Sequence, residues 1–122
     1  MKVCIIGNGL ISLALAKALI NKDIFVDIFY KKNIKNYTQS RTIGISKSNI
    51  EYFNKNISDI SKISWSIKSI KIFTENFIDN EILNFSDSDK GVFSIILNHR
   101  LYKQLDHELK KSKFFSYKKN IN

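Results

Sequence analysis

The opening stretch MKVCIIGNGLISLALAKALINKDIFVDIFY constrains what this chain can fold into more than any other feature. Residues 2–7 form a short apolar run with β-branched content, the pattern of a buried parallel strand. From Leu10 to Lys22, the positions Leu10, Leu13, Ala14, Ala18 and Leu19 recur at helical spacing among good helix formers. Residues 23–30, DIFVDIFY, are rich in Val, Ile and Phe and read as a second strand. Strand, glycine turn, helix and strand within roughly thirty residues make a βαβ unit, whose crossover is expected to be right-handed.

Between the first strand and the helix stands GNGLIS, residues 7–12. Gly7 can take the backbone angles of a tight turn, and Gly9, without a Cβ, lets a pyrophosphate approach the backbone. The amides of Leu10, Ile11 and Ser12 then face the phosphates, with the positive end of the helix dipole behind them. Ser12 stands where a third glycine or an alanine is usual. As the next smallest residue it should loosen the helix-to-strand packing only slightly. The context is that of a dinucleotide site, but the turn alone does not separate NAD from FAD or from a purely structural turn. The second strand of such a site ordinarily ends in Glu or Asp, which accepts the ribose hydroxyls. Here that position is Tyr30, followed by Lys31 and Lys32. Tyr30 can stack or donate a hydrogen bond, but it cannot accept two hydroxyls. Asp27 comes three residues too early and should face away from a nucleotide.

After this unit the pattern changes. Residues 31–40 are polar and aperiodic, as in a loop. A short helix is expected from Ser46 to Lys55, burying Ile50 and Phe53. Residues 69–75 and 81–85 read as strands flanking a turn at Asp79–Asn80, and SDSDKG at 86–91 reads as another turn. A strand follows at 92–97, then a helix from His99 to Lys111 with Leu101, Leu105 and Leu109 along one face. A last strand is expected at 114–117. The fold class is therefore α/β: an incomplete Rossmann-like βαβ unit with an inserted antiparallel β-meander. In this division residues 1–56 and 98–122 form the nucleotide-binding part and 57–97 the insertion.

Composition narrows the classes. With 122 residues the chain has the size of one small domain. Its 43% hydrophobic content belongs to a folded rather than a disordered protein. No apolar stretch approaches a membrane span, and Cys4, the only cysteine, is expected as a buried free thiol, in keeping with a cytoplasmic protein. The net charge of +9 would suit nucleic acid, but the lysines are scattered rather than gathered in a stripe, so no nucleic-acid partner is expected. His99 and His107 lack the companions of a metal site, and SDSDKG lacks most calcium-loop ligands.

A second segment points further. SRTIGISKSNIEYF, residues 40–53, resembles the segment after the second strand in flavin-dependent aromatic-ring hydroxylases, most closely the ubiquinone-biosynthesis branch. The resemblance continues in order through Trp65, IKIFTEN, ILNF and GVFSIILNHRLYKQL. It implies FAD as cofactor, with Gly7, Gly9, Leu10, Ile11 and Ser12 on the pyrophosphate and Tyr30 at the adenosine ribose. Arg41 would lie near the flavin and its ribityl chain, and Asn98 would touch the cofactor at the start of the later helix, with Arg100 as the alternative register. The bare alternatives are a surface arginine and a helix N-cap. Trp65 is expected in core or interdomain packing. The implied reaction is oxygen-dependent hydroxylation of an activated, prenylated-quinone-like ring, with NAD(P)H as electron donor and no catalytic residue assigned in this part. Family members are much longer and carry a later Gly-Asp motif, absent here. The resemblance therefore implies the N-terminal portion of such an enzyme, incomplete for catalysis unless another chain supplies the rest, and contact with the periphery of the inner membrane. A non-catalytic Rossmann-like remnant and an NAD(P)-dehydrogenase fragment are the alternatives.

Overall fold

The computed structural model describes residues 1–32, 41–75, 77–86 and 92–119, with only the backbone path described for Thr74 and 77–86. The expected βαβ unit is present as β1 (Lys2–Ile6), α1 (Leu10–Ile20) and β2 (Phe25–Tyr30). The chain continues through β3 (Thr42–Ser46), α2 (Lys47–Asn56), a 3-10 turn (Ser61–Ile63), β4 (Ser64–Ile67), β5 (Ser69–Thr74), β6 (Phe77–Ser86) and β7 (Phe93–Leu97). It closes with α3 (Asn98–Lys110) and β8 (Phe115–Lys119). The strands form a parallel sheet in the order β1-β2-β8, an antiparallel sheet in the order β3-β7-β4, and a β5-β6 hairpin.

The parallel sheet is covered on one face. Register sets Val3 beside Val26 and Ile5 beside Ile28, and on the other side Val26 beside Phe115 and Ile28 beside Tyr117. Alternation along each strand points these residues the same way. Val26 and Ile28 are fully buried in one core with Leu13, Ala16 and Ile20 of α1 and Leu101, Leu105 and Leu109 of α3. Ile60 and Ile96, from between α2 and α3, join the same core. Around Ser58 the polar groups follow: the Ser58 hydroxyl donates to Glu108 Oε1 at 3.0 Å, and Gln104 Nε2 donates to the Ser58 hydroxyl at 2.8 Å and the Asp59 carbonyl at 2.7 Å. These bonds fix the segment after α2 against α3.

The opposite face of the sheet is open, which corrects the expectation of a buried first strand. β1 alternates between covered and exposed positions, and Cys4 is exposed rather than buried. Ile6, on the same side, is 87% exposed. The apolar run was read as two-sided burial, yet no described element covers this side. Asp27 lies there too, paired in register with Cys4 and Ser116. The Ser116 hydroxyl donates to its carboxylate at 2.6 Å, and Lys2 lies 3.5 Å away.

Three further differences lie between β2 and α3. TIGIS forms β3, and Ser64–Ile67 forms β4, neither of which was expected as a strand. The reversal expected at Asp79–Asn80 is not there: β6 runs through both residues, and its register against β5 shifts near them. Propensity favours a turn at Asp-Asn, but the pairing of the long strand overrides it by taking up the extra residues as a bulge. Trp65 is 56% exposed on β4 and so lies outside the core. α2 begins after Ser46, whose hydroxyl accepts the Asn49 amide at 3.3 Å, and its Ile50 and Phe53 are only partly buried. Of the turn expected at 86–91, Ser86 ends β6 and the rest falls outside the described residues, as does most of the loop at 31–40.

Two outcomes follow from this packing. Leu105→Ala removes a fully buried side chain and should cost about 2–5 kcal/mol, measured by urea unfolding. The Ser116 hydroxyl, above all, and the Lys2 charge hold Asp27 below the usual carboxylate range, against the opposing effect of burial. A carboxylate depressed in the folded state stabilises the protein at neutral pH and loses that contribution as pH falls through its folded pKa. Ser116→Ala should therefore move the Asp27 titration upward by carbon-13 NMR; an unmoved titration would refute the role given to the hydroxyl.

Candidate dinucleotide-binding site

The turn between β1 and α1 is built around a backbone conformation that favours glycine. Gly7 has φ +107°, where L side chains are strained, and its amide donates to the Phe29 carbonyl at 2.7 Å. That bond ties the turn to the end of β2. Gly9 caps α1 in an ordinary extended conformation, φ −75° and ψ 176°, with no side chain to occupy the helix start. The first helical hydrogen bond runs from the Leu13 amide to the Gly9 carbonyl at 3.1 Å, so the amides of Leu10, Ile11 and Ser12 precede the helical ladder. A Cβ built on Gly9 meets nothing within 4 Å, which leaves open space before those amides. One built on Gly7 would lie 3.7 Å from Ser12 Oγ, an ordinary contact. Serine thus closes the helix onto the turn without strain.

Two other contacts brace the turn. Asn8 Nδ2 donates to the Lys32 carbonyl at 3.1 Å, and the Tyr102 hydroxyl donates to the Asn8 carbonyl at 3.0 Å. Tyr102 belongs to α3, nearly a hundred positions further along the chain. It was not singled out in the sequence, because it lies one place off the leucine stripe of Leu101, Leu105 and Leu109. Its only signal was a phenol on a half-buried helix flank, where a polar tip wants a partner.

The later candidates converge on the start of the same helix. The Asn98 amide donates to the Arg41 carbonyl at 2.9 Å, which fastens the entrance of β3 to the start of α3. The Arg41 side chain is exposed. Asn98 is the first residue of α3, and Leu97 occupies the cap position without a side-chain bond. Asn98 therefore does not act as an N-cap. Its Oδ1 and the neighbouring His99 Nδ1 are buried without a partner among the described residues, an uncommon state for polar atoms. Asn98 and Tyr102 are four apart and share a helix face. Arg100 and His107 are exposed.

The end of β2 is chemically different. The Tyr30 ring packs edge-on against Tyr117 with centroids 5.7 Å apart. Tyr117 donates its hydroxyl to Asp106 Oδ1 at 2.6 Å, and Lys110 takes Asp106 Oδ2 at 3.0 Å. Burial first, then this contact with a carboxylate, raises the Tyr117 pKa far above the usual tyrosine range, so the phenol stays protonated. Both Asp106 oxygens are engaged, and Asp27 points to the other face of the sheet. The residues thus fit a pyrophosphate at the glycine turn, and among the described residues no free carboxylate stands at the end of β2 to accept both hydroxyls of a ribose diol. Among the described residues no group of three His, Cys, Asp or Glu could hold a metal, and no helix is long and apolar enough to cross a membrane.

No protein-family model matches the chain, and no curated protein sequence does. Solved structures do match its fold. p-Nitrophenol 4-monooxygenase from Pseudomonas putida is 12% identical with a TM-score of 0.76, over 98% of this chain and 32% of that one. HpxO from Klebsiella pneumoniae, solved with FAD and uric acid, is 15% identical with a TM-score of 0.67, over 96% of this chain and 30% of that one. The flavin-dependent monooxygenase PieE, solved with FAD and substrate, is 14% identical with a TM-score of 0.69, over 98% of this chain and 24% of that one. The chain spans between about a quarter and a third of the length of these structures, and it shares the fold of that portion of them.

Proposed function

We propose that the chain is the FAD-binding portion of a flavin-dependent monooxygenase that hydroxylates an aromatic substrate. The observation that carries this reading is the fold correspondence over nearly the whole chain, antiparallel strands included, with two monooxygenases and HpxO, of which PieE and HpxO were solved with FAD. A plain dinucleotide-binding domain would continue from β2 into further βαβ units. This chain leaves the parallel sheet after β2 and returns to it only with α3 and β8.

In this reading Gly7, Gly9 and the amides of Leu10, Ile11 and Ser12 hold the pyrophosphate, and Tyr30 stands at the adenosine ribose. Arg41, at the entrance of β3, and Asn98, at the start of α3, are joined by a backbone hydrogen bond and would lie near the flavin end of the cofactor. Asn98 Oδ1 is a buried acceptor without a partner among the described residues, suited to a donor on the cofactor. Residues 1–56 and 98–122 serve the nucleotide, and 57–97 belong to the substrate side. When bound, the flavin would supply oxygen activation, with NAD(P)H as the electron source; the protein's part is to bind and orient it. The finer assignment to hydroxylases of ubiquinone biosynthesis, acting at a membrane surface on a prenylated ring, rests on the ordered sequence resemblance. A chain carrying the remaining length of such an enzyme would complete the site. The second reading, a nucleotide-binding module without catalysis, is favoured by Tyr30 and by the uncovered face of the parallel sheet.

The test is FAD titration of the purified chain, followed by quenching of flavin fluorescence. Saturable binding is expected, weakened by Arg41→Ala and by Gly9→Ala. Because a Cβ at Gly9 meets no protein atom, Gly9→Ala should leave stability within about 1 kcal/mol, whereas Gly7→Ala should cost about 1–3 kcal/mol through its positive φ. A chain that binds no FAD would overturn the proposal, and equal binding by Gly9→Ala would remove the turn from the site.

A further inference from the structure

We infer that Tyr102 is a positioning residue for the phosphate cradle, a role that rests on the reading of the glycine turn as the place where the cofactor's pyrophosphate binds. Its hydroxyl locks the peptide between Asn8 and Gly9 in the orientation that keeps a carbonyl out of the anion site.

This peptide is the loosest in the turn. It ends on Gly9, and glycine takes φ of either sign at similar cost. Rotating the peptide by half a turn carries Gly9 from φ −75° to a positive value, which an L side chain would resist and glycine does not. The peptide is trans, so the Asn8 carbonyl and the Gly9 amide point in opposite directions. A flip therefore exchanges a donor for an acceptor on the same side of the chain. For a site that must hold a pyrophosphate, an acceptor turned inward is repulsive.

α3 decides which way the peptide faces. The Tyr102 hydroxyl donates to the Asn8 carbonyl at 3.0 Å, across 94 positions of sequence. Among the described residues no other group donates to that carbonyl. The Tyr102 ring packs against the core that holds Leu101 and Leu105, so the hydroxyl is delivered from a docked helix. The Gly9 amide is thereby turned away from the hydroxyl, and it donates to no backbone carbonyl among the described residues. The flanking groups are anchored separately. The Gly7 amide donates to Phe29, the Gly9 carbonyl accepts the Leu13 amide, and Asn8 Nδ2 donates to Lys32. None of these bonds fixes the plane between Asn8 and Gly9. Because α3 starts directly after β7, which pairs with β3 and β4, the tyrosine also ties the cradle to the antiparallel sheet.

The experiment follows the Gly9 amide of the nitrogen-15-labelled whole chain by NMR, and titrates FAD and 5′-ADP by isothermal titration calorimetry. Tyr102→Phe keeps the ring and loses only the hydroxyl, so circular dichroism should report unchanged folding. In this variant the Gly9 resonance should shift and broaden through microsecond-to-millisecond exchange. FAD and 5′-ADP should each bind about three- to tenfold more weakly, the effect of one neutral hydrogen bond on the fraction of chains with the peptide correctly turned. Adding Gly9→Ala makes the flipped peptide costly, so the broadening should vanish in the double variant, which a merely structural tyrosine would not produce. A Gly9 signal unmoved by Tyr102→Phe, with FAD bound by the unmodified chain, would overturn this inference and leave the proposed function standing. Undiminished binding of both nucleotides by Tyr102→Phe would do the same, as would broadening that persists in the double variant. An unmodified chain that binds 5′-ADP with the expected Tyr102 dependence but no FAD would overturn the proposed function alone. Failure to bind either nucleotide would overturn both.

Discussion

The apolar layer between α1, α3 and one face of the parallel sheet is the constraint on which the rest depends. The chain leaves that sheet at Tyr30 and comes back to it at Phe115, so the two parts of the layer are separated by most of the sequence. Leu101, Leu105 and Leu109 meet Leu13, Ala16 and Ile20 over Val26 and Ile28. Burial of this kind stabilises by roughly 1.5–3 kcal/mol for each large side chain, enough for a few residues to close so long a loop. The cost of that closure is met by the leucine stripe of α3, which explains why its spacing is so regular.

Once α3 is docked, the site assembles as a by-product of packing. Tyr102 reaches the Asn8 carbonyl because its neighbour Leu101 is already in the core, and Asn98 meets Arg41 because β7 pairs with β3 up to Leu97. The glycine turn is thereby held from three sides: by β2, by the backbone after β2, and by α3. A phosphate cradle formed this way is set before a ligand arrives, which is the condition for backbone amides to bind an anion without first reorganising.

The βαβ unit was legible because its signals are local: a glycine turn, an alanine-rich helix and a β-branched strand lie within a single stretch. The leucines of α3 were legible for the same reason. Where pairing partners lie far apart, the sequence said less. β3 offers Ile43 and Ile45 at alternate positions, a period-two pattern that marks a strand, but the run is short and the glycine between them weakens it. Asp79–Asn80 carried turn propensity into the middle of a strand, where ladder pairing decided the outcome. An apolar strand suggests cover on both faces, but coverage is a property of neighbours the sequence does not name, and Cys4 lies exposed. Tyr102 was invisible for a related reason, its partner being a backbone carbonyl at the other end of the chain.

The open side of the parallel sheet has a consequence for how copies of this chain meet. Among the described residues β1 is an edge strand of the parallel sheet, with Ile6 exposed at its end and Met1 exposed just before it. An edge of this kind is a template for pairing with another strand. Lys2 stands on that edge strand, and a net charge of +9 surrounds it, so two copies approaching edge to edge repel before their backbones can bond. The lysine excess that looked like a footprint for nucleic acid thus acts as a colloidal guard.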